Sequence, residues 1–100
     1  QCHDDVQSEL FMVQEAFYAK ALRVEGTLNA LLLKIKDPAT SAAVPAADLQ
    51  TAKALYMRAL TWWEWTAVSE NSMGAHNADE MNEQLDKAQE FADEALRLLP

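Results

Sequence analysis

Chain breakers are scarce in this sequence. Gly26 and Gly74 are its only glycines, and Pro38, Pro45 and Pro100 its only prolines. So few turn formers in an Ala-, Leu- and Glu-rich chain argue against a fold of many short strands and for long helices. Cys2 is the single cysteine, which excludes an internal disulfide. Bases are few as well: eight Lys and Arg stand against sixteen Asp and Glu, for a formal net charge of −8. That balance argues against nucleic acid or an anionic membrane surface as a partner. No run approaches the roughly 20 apolar residues of a membrane span. Gln1 to Asp5 lack the character of a signal peptide.

What is present is helical periodicity. One hundred residues, half of them hydrophobic, allow one domain with a core. Val6, Leu10, Val13, Phe17, Val24, Leu28, Leu31 and Ile35 recur at spacings of three, four and seven, predicting a helix over 4–36. A second stripe, Phe11, Tyr18 and Leu22, lies beside the first. Two apolar faces need two sets of neighbours, and a helix of about 50 Å exceeds the width of a domain this size. The expectation is a contact between copies through Val6 to Ile35, with Phe17 and Val24 in it and the last helix assisting. Gly26 is the natural place for a bend.

Asp37-Pro38 stops that helix, and 39–47 is expected to be a small-residue loop. A second helix is predicted over 48–70, capped by Asp48, with Leu49, Ala52, Leu55, Tyr56, Ala59, Trp62, Trp63 and Thr66 on its stripe. A third is predicted over 78–98, where Asn77 and Glu80 have capping-box spacing. Met81, Leu85, Ala88, Ala92, Ala95 and Leu99 form a 4-3-4-3-4 pattern that suits antiparallel packing. Seven acids between Asp79 and Glu94 read as a solvated face or as a docking patch for a basic partner. The fold class is therefore all-α, a three-helix antiparallel segment without strands.

Few residues could carry chemistry. Cys2-His3 is either an incidental terminus or the second half of C-x-x-C-H, the attachment sequence of c-type haem. In the second case the first cysteine lies two positions before Gln1, and the chain is an excerpt of a longer one. His76 stands in a short interhelical stretch, two residues after Gly74. It is either a solvent-facing histidine or an iron ligand. Trp62, Trp63 and Trp65 cannot share one helix face. They are core packing on more than one side or contacts with a flat partner. Neither histidine has a glutamate three residues before it, so a ferritin-like metal site is not encoded. No glycine-rich phosphate loop or Ser/His/Asp constellation occurs.

Three stretches resemble one family. Gln1-Cys2-His3-Asp4, the helix ending in Trp62-Trp63-Glu64-Trp65, and Glu70-Asn71-Ser72-Met73-Gly74-Ala75-His76-Asn77 look like the C-terminal part of pentahaem, ammonia-forming cytochrome c nitrite reductase. The corresponding segment of the related octahaem reductases, which process nitrite or hydroxylamine, has a similar helical layout. The resemblance covers essentially the whole chain, and Ala78 departs from it where a proline is common. It implies that Cys2 forms a thioether to haem c and that His3 is the proximal ligand of the final haem. His76 becomes the distal ligand of the preceding haem. It further implies a periplasmic homodimer joined by long helices and supplied with electrons by a quinol-oxidising or cytochrome donor. Nitrite would be reduced to ammonium at a haem carried outside this chain. Catalytic residues, and any calcium, belong to the parent protein and not to residues 1–100. The alternative is a cofactor-free helical dimerisation module.

Overall fold

The computed structural model describes residues 2–68 and 78–100, with side chains over 15–66 and 79–100. With no proline before Pro38, one helix runs uninterrupted from Cys2 to Lys36 (α1), through Gly26. Lys34 and Lys36 sit in its last turn, where cations complement the negative end of the dipole.

Asp37-Pro38 ends α1 and at once starts another helix. Asp37 takes an extended conformation, φ −74° and ψ 121°, and its Oδ1 accepts the Ala39 N–H at 2.9 Å. Pro38 follows at the first helical position, where its missing N–H costs nothing. The result is a short helix over Pro38–Ala43 (α2) in place of the expected loop. The same dipeptide that stops one helix is an efficient starter of the next. Val44 and Pro45 are extended, and α3 occupies Ala46–Trp63. Its cap position is Pro45, so Asp48 does not cap. Asp48 lies in the first turn instead, where its charge suits the positive end of the helix. The helix then widens into a π-helical turn over Glu64–Val68. Helix α4 spans Ala78–Leu98, matching the predicted 78–98. The proposed Asn77 cap and the rest of 69–77 lie outside the described residues.

Cross-helix contacts give the directions. Lys20, Thr27 and Lys34 of α1 meet Asp86, Gln89 and Pro100 respectively, so α1 and α4 run parallel. Arg58, Trp62 and Thr66 meet Phe91, Lys87 and Gln84, so α3 is antiparallel to α4. The bundle is up-down-up and elongated, 61 × 18 × 17 Å. By length α1 spans about 52 Å against about 31 Å for α4.

The core is built from the predicted stripes. Phe17, Val24, Leu28 and Leu31 of α1 pack with Ala52, Leu55 and Ala59 of α3, with Met81, Leu85, Ala88, Ala92 and Ala95 of α4, and with Leu99 just beyond it. Alanines on α3 and α4 let the backbones approach closely. Phe17 and Val24 are thus buried inside the chain, whereas Tyr18 and Leu22 of the second stripe face outward. Tyr18 is 53% exposed, Leu22 45% and Leu33 72%. Two polar links fix the register. Gln89 Nε2 donates to Thr27 Oγ1 at 3.0 Å, and the buried Thr66 Oγ1 donates to Gln84 Oε1 at 2.8 Å.

Gly26 is exposed, helical, and has open space where a Cβ would stand. Gly26→Ala should therefore stabilise α1 by about 0.5–1 kcal/mol, through the lower entropy of the unfolded chain. Thermal melting of the variant checks this: an unchanged or higher midpoint fits an open face, whereas a clear loss would mean that something packs against the bare backbone.

Candidate functional site

The three candidate ligands occupy two places. Cys2 and His3 lie in the first turn of α1. His76 falls within 69–77, outside the described residues, two positions before α4 begins at Ala78. Because α1 and α4 are parallel, the start of α1 and the start of α4 share one end of the bundle. Lys20 pairs with Asp86 at 2.6 Å, which sets the stagger. Counting back 18 residues to Cys2 and eight to Ala78 at 1.5 Å each puts the first turn of α1 about 15 Å beyond the start of α4. The two helix starts are therefore at one end of the bundle, axially offset from each other.

Among the described residues no group of His, Cys, Asp and Glu is arranged to hold a metal ion, so a structural or catalytic metal within the bundle body is not indicated there.

The tryptophans divide as their spacing requires. Trp63 turns towards α1, and its indole Nε1–H donates to the Ala21 carbonyl at 2.9 Å. Trp62 turns towards α4, with Lys87 Nζ 4.7 Å from its ring centroid. Both are half-buried against the core. Trp65, in the π-helical turn, is 64% exposed. Core packing therefore accounts for two of the three indoles.

Sequence reasoning missed a surface feature between α3 and α4. Arg58 lies 5.8 Å from the Phe91 ring centroid, one turn from the Lys87–Trp62 pair. Each helix supplies one cation and, four residues later, one ring. The signal was present as Arg58-x-x-x-Trp62 and Lys87-x-x-x-Phe91, but only the antiparallel register reveals that the two fit together. A groove of about 360 Å³ lies here, lined by Met57, Arg58, Thr61, Trp62 and Phe91. A second of about 260 Å³ shares Thr61 and Trp62 and adds Trp65.

The acidic side of α4 is solvated. Asp79, Glu80, Glu83, Asp86, Glu90 and Glu94 are exposed, opposite the buried stripe. No helix is long and apolar enough to cross a membrane among the described residues. No protein-family model, curated protein or solved structure matches the chain.

Proposed function

We propose that the chain is the haem-ligating, dimer-forming C-terminal part of a periplasmic multihaem c-type cytochrome that reduces nitrite to ammonium. The observation that carries this reading is the pairing of Cys2-His3 with the Glu70–Asn77 run in one sequence. The parallel course of α1 and α4, which puts the starts of the two helices at the same end of the bundle, supports it. Cys2 would hold haem c through a thioether, with His3 as its proximal ligand. His76 would ligate the iron of a neighbouring haem, consistent with the axial offset of about 15 Å estimated from helix rise. An iron with two imidazole ligands has no open position, so groups held this way transfer electrons and do not bind substrate. The chain's own work is positional. Helix α1 carries Cys2 and His3 on a rigid rod anchored by Phe17, Val24, Leu28 and Leu31, and α4 fixes the exit of the segment that bears His76. Reduction of nitrite, and the residues that perform it, belong to the parent protein.

The chain preceding Gln1 tests this at once. A cysteine two positions upstream completes C-x-x-C-H and is the expected result; any other residue there removes the attachment site and with it the reading.

Dimerisation belongs to the same proposal and also to its rival, a cofactor-free helical dimerisation module. The supporting observation is the exposed Tyr18, Leu22 and Leu33 on the side of α1 away from the core. Tyr18→Glu with Leu22→Glu should shift the mass in solution towards monomer while helix content stays constant. An unchanged dimer in sedimentation equilibrium would place the contact on another surface.

A further inference from the structure

A chain with twice as many acids as bases places two cations along the α3–α4 seam without a carboxylate: Arg58 lines the groove there, and Lys87 lies over Trp62, which lines it as well. Glu83 and Glu90 stand one turn either side of Lys87 on α4, yet among the described residues Lys87 pairs with neither and reaches across to Trp62. Arg58 likewise lies over Phe91 and forms no ion pair among the described residues. Both cationic heads therefore remain available for an anion. Between and beside them is apolar surface that water covers poorly: Met57 is 57% exposed, Trp65 64%, and Trp62 and Phe91 are half-buried. The two adjoining cavities, about 360 and 260 Å³, share Thr61 and Trp62 and form one shallow trough along α3. Single apolar residues on a surface are ordinary, but a continuous apolar patch with polar residues at its rim marks a binding site.

We propose that this α3–α4 groove binds a free amphipathic organic anion, one with a flat apolar body and a carboxylate or sulfonate head. The body lies on Met57, Trp62 and Trp65, where aromatic faces supply contact area at little entropic cost. The head sits between Arg58 and Lys87, each of which already holds its cationic group over a ring and so loses little further freedom on binding. The excess negative charge elsewhere on the chain opposes anions in general, so occupancy depends on these two cations together with the apolar floor. Neither suffices alone.

The probe is 1-anilinonaphthalene-8-sulfonate, titrated calorimetrically into the full protein, with the uncharged N-phenyl-1-naphthylamine as its isosteric control. Saturable binding of the sulfonate is expected, tighter than that of the neutral amine. Arg58→Gln combined with Lys87→Gln should weaken the sulfonate about tenfold, as expected for loss of two partly exposed charge contacts, and leave the amine unchanged. Trp65→Ser should weaken both probes. Unaltered thermal melting of these surface variants shows that the fold is intact. Absence of saturable binding, equal affinity for the two probes, or sulfonate binding that survives the double substitution would each overturn the proposal.

Discussion

Replacing His76 by alanine in the full protein is expected to turn one low-spin haem high-spin, or to give it a substitute ligand, while the number of covalently held haems stays the same. The reasoning is coordination chemistry. Attachment depends on cysteines and on the proximal histidine, none of which His76 provides. Loss of the distal imidazole leaves an iron with an open position and a changed reduction potential. Groups that merely orient a metal ligand are typically worth 10- to 100-fold in activity, so loss of a ligand itself should lower turnover on the order of 100-fold. Catalytic residues are untouched by the substitution, so substrate affinity should hold while electron delivery fails. The absorption and EPR spectra of the variant give the answer. If every haem kept its spectrum, His76 would be a histidine beside a helix start and nothing more.

Leu85→Ala should be the most damaging single change to the bundle. Leu85 and Leu31 are both fully buried, and Leu85 lies midway along the inward face of α4. Its truncation removes transfer energy and leaves a cavity among alanines too small to collapse into it, a loss of about 3–5 kcal/mol. For a unit of this size that lowers Tm by more than about 10 °C. Lys53→Ala is the control: exposed on α3, it should change stability by less than about 0.5 kcal/mol. Far-UV circular dichroism melting of both variants checks the pair. Similar losses for Leu85 and Lys53 would contradict the assignment of inward and outward faces.

Those faces were legible from periodicity because burial in a helical bundle is decided by position around each axis. Met81 to Leu99 on α4 and Phe17 to Leu31 on α1 are buried as their spacings required. What periodicity does not contain is the partner of each face. Both stripes of α1 pointed to neighbours, but only the bundle shows that Phe17 and Val24 meet α3 and α4 while Tyr18, Leu22 and Leu33 stay outside. Local chemistry misled once, at Asp37-Pro38, since a proline after an aspartate reads equally as the end of one helix and the start of another. The pairing of Arg58 with Phe91 and of Lys87 with Trp62 needed the antiparallel register, a property of two helices and not of one. The candidate ligands are the reverse case. Cys2, His3 and His76 are named by sequence motif, and the fold adds only that the starts of α1 and α4 lie at one end of the bundle.

Covalent haem is the central claim, and a pyridine haemochrome assay on the full protein tests it most directly. After acid–acetone extraction the haem should remain with the polypeptide and give the spectrum of a thioether-linked c-type haemochrome, with more than one haem per chain. A colourless protein, or haem that passes entirely into the extract, would contradict the account and favour its rival, a cofactor-free helical dimerisation module.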